Sequence, residues 1–195
     1  VPVVVPGTGL SVTLASDSPV AGSLISSSGS AASRVGVLKV NLTASPVAAV
    51  VVNDLNFKKL GVLSDSSISS AYLVENEQVV QQYNYLSSGV LNFSGMNLTV
   101  NAGQTRSLLL AIDPSTGLSA GNTVAFSLDS AADVKTMGGA PVSGLFPVNS
   151  NTFTVTSVSN PSIASLTIAS ASIGTSVYAG TQNVLVSQWT LTGTN

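Results

Sequence analysis

Apolar and polar residues alternate with a period of two along most of the chain. The apolar positions that carry this alternation, grouped by run, are Leu38, Val40, Leu42; Leu55, Phe57; Leu91, Phe93; Leu98, Val100; Leu108, Leu110, Ile112; Val124, Phe126, Leu128; and Phe153, Val155. This period is that of a β-strand with one face in a core and the other, including Ser127, in solvent. Helical periodicity is almost absent, and only 65–70 predicts a single helical turn. The pattern predicts an all-β protein.

Turn-forming residues separate these runs. Clusters of Gly, Pro, Asn and Ser occupy 28–30, 113–117, 120–122 and 138–139. Many short strands joined by such turns are typical of a β-sandwich or barrel. Glu75 and Glu77 flank Asn76 in a further predicted hairpin turn.

An internal repeat divides the chain. The sequence SVTLAS at 11–16 recurs as SLTIAS at 165–170, and VNLT at 40–43 recurs as WTLT at 189–192. The offset is 154 positions in the first match and 149 in the second, so the connection is five residues shorter in the second copy. Two matches in the same order indicate a duplicated strand pair.

The repeat predicts four segments. These are an extended segment or linker over 1–10, a complete β-sandwich over 11–157, a linker over 158–162, and the first two strands of a second repeat, or a donor segment, over 163–195. Two strands alone are marginal in water, so their apolar residues must be covered; these are Leu166, Ile168, Trp189 and Leu191. Either the chain continues into the rest of a second repeat, or the segment completes a neighbouring subunit by strand donation.

Two stretches carry a family resemblance. Residues 55–74, containing LNFKKLG and AYLV, and residues 100–113, a strand after a Gly turn that ends in Asp-Pro, resemble the immunoglobulin-like β-sandwich repeats of bacterial and archaeal surface-layer and other large cell-surface proteins. The resemblance implies immunoglobulin-like sandwich repeats, one complete and one partial, in an extracellular scaffold such as a layer, stalk or filament. It carries over no catalytic or binding residue.

The composition argues against most kinds of catalytic and metal-binding site. The chain has no Cys and no His, which removes thiolates and the commonest general base and metal ligand. Charged residues make up 7%, and six basic residues with a net charge of −2 argue against nucleic acid as a partner. No apolar run approaches the length of a membrane helix. We expect neither enzymatic activity nor a cofactor or metal.

These observations favour a non-enzymatic, extracellular structural protein that self-associates, as a homopolymer or as tandem repeats, in head-to-tail contacts. Two alternatives stay open: an adhesin or carbohydrate-binding surface module, and a viral fibre or capsid decoration protein. Glycans are a further expected partner, because three Asn-X-Ser/Thr sequons occur, at Asn41, Asn92 and Asn97.

The remaining candidate residues have plainer interpretations. The scattered Asp residues are expected in turns near strand ends instead of in a calcium site. Lys39 and Lys58 are expected to point outward, which argues against an isopeptide cross-link from either. Trp189 stands where the first copy has Val40 and is expected to be a core or inter-subunit anchor.

Overall fold

The structure is a computed structural model that describes residues 7–83, 86–157, 165–171, 179 and 187–194. Residues 1–6 of the expected N-terminal segment, and the expected linker over 158–162, lie outside the described residues. The chain divides into two compact units, Val1–Val158 and Ser159–Asn195. The expected domain boundaries inside these units stay predictions.

The described residues form sixteen strands, three short 3₁₀ turns and no α-helix. The strands are β1 (Leu10–Leu14), β2 (Gly22–Ser26), β3 (Val35–Ala44), β4 (Val50–Leu60), β5 (Ile68–Glu75), β6 (Gln78–Tyr83), β7 (Val90–Phe93), β8 (Leu98–Val100), β9 (Thr105–Pro114), β10 (Thr123–Leu128), β11 (Val134–Thr136), β12 (Val142–Gly144), β13 (Val148–Asn149), β14 (Phe153–Ser157), β15 (Ser165–Ser170) and β16 (Trp189–Thr194). The protein is therefore all-β. No helix in the described ranges is both long and apolar enough to span a membrane.

The first unit contains two sheets. One has the strand order β12-β1-β3-β9-β5-β6, in which only the β1–β12 pair is parallel. The other runs β11-β4-β10-β14-β2, with β13 also paired to β10 and with β7 and β8 both paired to β4. The β14–β2 pair is parallel. Apolar residues from both sheets form a single core cluster.

The core contains every apolar position of the predicted stripes, which confirms these positions as core residues. The alternation fails in β10, where all residues from Val124 to Leu128 are buried. Phe57 on β4 and Phe93 on β7 meet edge to face, with ring centroids 6.1 Å apart. This geometry places the positive edge of one ring against the negative face of the other. The two rings therefore pack the β4–β7 pair into the shared core.

Two polar residues differ from the expectation. Ser127 on β10 was expected in solvent but is fully buried, because its hydroxyl donates to Asp129 Oδ1 at 2.5 Å and so replaces water. Asp54 was expected near a strand end but lies in the middle of β4. Its carboxylate accepts hydrogen bonds from Asn53 Nδ2 at 2.6 Å and from Gly95 N–H at 3.2 Å, which offset the loss of water.

Two of the predicted local turns are confirmed, whereas Asp113 and Pro114 of the turn predicted at 113–117 belong to β9. Residues Asp65–Ser67 form a 3₁₀ turn within the range expected to be helical. Asn76 and Glu77 connect β5 to β6 with φ of 47° and 66°. Two successive residues with positive φ are typical of the tight turn whose twist matches that of a hairpin.

Candidate assembly face

The second unit contains one described antiparallel strand pair, β15–β16. Its register places Thr167 opposite Thr192, Ile168 opposite Leu191, and Ser170 opposite Trp189. Directly opposite residues point to the same face of a sheet, and every second residue along a strand does so too. The four candidate contact residues therefore share one face, here called the open face: Leu166, Ile168, Trp189 and Leu191.

The corresponding strands of the first unit pair in the same direction. There β1 and β3 place Val12 opposite Leu42 and Leu14 opposite Val40. The repeat aligns Ile168 with Leu14 and Trp189 with Val40, so the register of the first pair would place Ile168 opposite Trp189. In the second pair Ile168 lies opposite Leu191 instead. The second pair is thus shifted by two residues relative to the first. A shift of two preserves the side-chain faces, whereas a shift of one would exchange them.

The two copies differ in what covers them. Val12, Val40 and Leu42 are fully buried in the core that both sheets of the first unit share. On the open face, Leu166, Ile168, Trp189 and Leu191 are between 55% and 64% exposed. The sequence therefore repeats a core-forming strand pair, and the described part of the second unit holds no covering layer for it.

The open face belongs to a region without charge. No residue from 136 to 195 is Asp, Glu, Lys or Arg. Soluble domains normally use charged residues to stay apart in solution, and a contiguous apolar patch without them marks an interaction surface. Hydroxyl side chains, such as those of Thr167 and Thr190, alternate with the apolar residues and are also exposed.

The three sequons have different surroundings. Asn41 lies on β3, which is paired on both sides, and its Oδ1 accepts a 2.6 Å hydrogen bond from Ser107 Oγ. Asn92 lies on β7 and is exposed. Asn97 lies between β7 and β8, is exposed, and has φ of 51°. Asn92 and Asn97 are thus exposed, whereas Asn41 is half-buried and its amide oxygen is hydrogen-bonded.

Most charged side chains are paired with one another. The ion pairs join Lys39 to Asp17 (2.5 Å), Lys58 to Asp129 (2.9 Å), Lys59 to Asp65 (3.4 Å), Lys135 to Asp54 (3.5 Å), and Arg106 to Glu75. The hydrogen bond from Lys58 lowers the pKa of Asp129, and that from Lys39 lowers the pKa of Asp17. Within the described residues no group of three acidic side chains is placed to hold a metal ion.

The lysines expected to face outward do so. The side chain of Lys58 is 56% exposed and that of Lys39 is 28% exposed. Lys59 is the most buried lysine of the ion pairs, and its Nζ donates to the carbonyl of Leu63. The polar partners of this amine include that carbonyl and the Asp65 carboxylate, 3.4 Å away.

Two surface cavities lie at the β1 side of the first unit. One of about 340 Å³ is lined by 7–11, 43–46 and Ser143, and one of about 300 Å³ is lined by 13–14, 145 and 147–149. Neither lining contains a charged or aromatic residue. The cavities therefore offer neither an acid–base pair nor a stacking platform.

The pairing of Glu75 with Arg106 has no signal in the sequence. Arg106 lies on β9, and its Nε donates to Glu75 Oε1 at 2.9 Å. The two residues meet because β5 and β9 are neighbours in the first sheet. No local sequence pattern predicts that β5 and β9 are neighbours, since β6, β7 and β8 lie between them in the sequence.

Comparison with known proteins found no match to a protein family, to a curated protein or to a solved structure.

Proposed function

We propose that this chain is a non-enzymatic structural subunit or repeat of an extracellular assembly, such as a surface layer, stalk or filament. In this proposal the first unit is an immunoglobulin-like β-sandwich and the second unit makes the contact to the next one. The open face carries the proposal, because Leu166, Trp189 and Leu191 repeat the positions of Val12, Val40 and Leu42, which are fully buried in the first unit. Only Leu14, the counterpart of Ile168, is half-exposed there.

The physical reason is the cost of leaving this face in water. Burial of apolar surface contributes about 25 cal/mol per Å², and a two-stranded sheet has no core of its own. A covering layer on Leu166, Ile168, Trp189 and Leu191 would stabilise the strand pair, and the same burial would stabilise the contact between neighbouring units. Aromatic residues are the commonest anchors of such contacts, which makes Trp189 the expected centre.

The duplication indicates what kind of layer fits. In the first unit, β1 and β3 share a core with the sheet that contains β4, β10 and β14. A strand pair descended from β1 and β3 is expected to fit a sheet of the same type. We infer that the partner is another repeat of this kind, which belongs either to a further copy of the chain or to a longer form of it.

In head-to-tail contacts of this type the donating face differs from the accepting face, so the units extend into a filament unless the rotation between them closes a ring. The absence of charge on residues 136–195 predicts that assembly depends little on salt. Ser and Thr side chains would then supply the hydrated outer surface.

The test compares two double variants on opposite faces of β16. Trp189→Ser with Leu191→Ser changes the open face, and Thr190→Ser with Thr192→Ser changes the other face of the same strand. Sedimentation velocity and electron microscopy should show large assemblies for the parent chain and the Thr variant, and monomers for the Trp/Leu variant. A parent chain that stays monomeric up to high concentration, or assemblies of equal size in all three, would reject the proposal.

A further inference from the structure

Two of the three sequons lie within six residues of each other at one edge of the second sheet. Asn92 is on β7 and Asn97 follows it, before β8. Both strands pair with β4, and among the described residues no strand pairs with their outer side. Neither β7 nor β8 contains a charged residue or a proline. Side chains reach this edge at two points, where Arg106 donates to the carbonyl of Thr99 and Gln81 to that of Ser94. The rest of such an edge is a template for unwanted strand addition unless something covers it.

The acceptor groups of these two sequons are free to react. Each sequon needs the Asn amide and the hydroxyl two residues later. Asn92 with Ser94, and Asn97 with Thr99, are all exposed. The amide of Asn97 makes only a long contact within its own loop, from Nδ2 to the carbonyl of Gly95 at 3.3 Å.

The third sequon has the same motif but engages both groups. Asn41 Oδ1 accepts the hydrogen bond from Ser107 Oγ, and Thr43 Oγ1 lies 2.8 Å from Thr105 Oγ1. Both contacts cross the β3–β9 pair, and β1 flanks β3 on its other side. Asn41 and Thr43 are also only half-exposed, so a sugar bonded to Nδ2 of Asn41 would crowd the Ser107 side chain that is hydrogen-bonded to the same amide group.

We propose that Asn92 and Asn97 are acceptor sites for N-linked oligosaccharides and that the fold excludes Asn41. The donor class is a lipid-linked oligosaccharide diphosphate. The amide nitrogen Nδ2 forms a bond to the anomeric carbon of the sugar, the bond from that carbon to the phosphate oxygen breaks, and the lipid diphosphate leaves. The amide gives up one proton, and no redox step is involved.

A glycan at either position leaves the core intact. Leu91, Phe93 and Leu98 point inward from the same strands and are buried, so the intervening Asn92 points outward. A hydrated oligosaccharide at Asn92 and Asn97 then shields the uncharged edge of β7 and β8. This role shares only the extracellular location with the proposed function and does not depend on assembly through the open face.

The test expresses the chain with a secretion signal in a host that performs N-glycosylation, with an appended Asn-Gly-Thr tag as an internal standard. Peptide mass spectrometry is scored on chains whose tag carries a glycan. We expect modification at Asn92 and Asn97 and none at Asn41. Ser94→Ala and Thr99→Ala should each remove one glycan and leave the other, whereas Thr154→Ala, on an exposed strand position outside any sequon, should change nothing.

A second measurement distinguishes exclusion of Asn41 by the fold from exclusion by the local sequence around the motif. Synthetic peptides spanning 38–45 and 94–101 should be glycosylated in vitro to a similar extent, within about threefold, while in the folded chain only the second should react. A tagged chain that is unmodified at Asn92 and Asn97, or a folded chain modified at Asn41, would overturn the proposal. An inert 38–45 peptide would also overturn it, because the local sequence, and not the fold, would then exclude Asn41.

Discussion

Arg106 donates hydrogen bonds from Nε and Nη2 to the two carboxylate oxygens of Glu75, which makes this a bidentate pair. A third nitrogen, Nη1, donates to the carbonyl of Thr99 at 3.0 Å. Glu75 and Arg106 lie on the first sheet, and Thr99 lies on β8 of the second. One guanidinium therefore links the two sheets and also satisfies a carbonyl on the β8 edge.

Replacing Arg106 by Ala should lower the free energy of unfolding by about 2 kcal/mol, because charge-assisted hydrogen bonds are lost and the Glu75 carboxylate, which is only 17% exposed, keeps no partner. Chemical denaturation measures the loss. Lys135→Ala is the matched control, since its side chain is 59% exposed and its ion pair spans 3.5 Å; it should cost at most about 0.5 kcal/mol. Equal losses in the two variants would contradict the link between sheets.

The same pair should make stability depend on pH. The hydrogen bond from Arg106 lowers the pKa of Glu75, so the folded state binds this proton less tightly than the unfolded state. The stabilisation is fully present above the unfolded pKa of about 4.3 and is lost as the pH falls through the lowered folded pKa. The difference in stability between the parent chain and Glu75→Gln should therefore shrink as the pH falls from about 7 to about 3. Chemical denaturation at each pH measures this difference, and a difference that stays constant over that range would contradict the pairing of Glu75 with Arg106.

The aromatic pair at the core centre gives a prediction on packing. Phe57 and Phe93 are both fully buried, so Phe57→Ala should cost about 3 to 5 kcal/mol through lost burial and a residual cavity. Leu145 is 93% exposed, and Leu145→Ala should change stability by less than about 0.5 kcal/mol. Urea denaturation of both variants is the measurement, and a small effect at Phe57 would refute the single shared core.

A close backbone approach makes Gly61 sensitive. It has φ of 92°, and a Cβ there would lie 2.4 Å from the carbonyl oxygen of Thr123. Gly121 has a similar φ of 86° but open space around it. Gly121→Ala should cost about 1 kcal/mol for the backbone conformation alone, and Gly61→Ala distinctly more. Thermal unfolding of the two variants isolates the steric part, and similar losses would show that Thr123 can move away without cost.

The strands of the first unit could be predicted from the sequence because a period of two is a local property. It can be recognised without knowing which strands are neighbours in the sheet. The sequence did not predict the parallel pairs β1–β12 and β2–β14, which join strands from opposite ends of the unit. Ser26 illustrates the difference. It precedes a Ser/Gly turn and looks like a solvated residue, yet it is fully buried because its hydroxyl donates to the carbonyl of Ser115 and accepts from the N–H of Leu118.

The duplication transfers the pattern of β1 and β3 to β15 and β16, so that Leu166, Ile168, Trp189 and Leu191 fall on one face. That these residues make a contact stays a prediction. The register of this strand pair was not predicted, since side-chain faces are the same for shifts of zero and two residues. Nor could the sequence distinguish Asn41 from Asn92 and Asn97, because the motif is identical and only the partners of β3 differ.

Trp189 provides a direct readout of whether the open face becomes covered, because it is the only Trp of the chain and is 60% exposed. On assembly its fluorescence emission should shift to shorter wavelength, and quenching by acrylamide should fall severalfold, since burial removes water and quencher from the indole. Thr190→Ser should show the same shift, whereas Leu166→Ser with Ile168→Ser, which alters the open face without touching the fluorophore, should weaken it. Assemblies in which Trp189 stays as accessible as in the monomer would mean that a different surface holds the chains together.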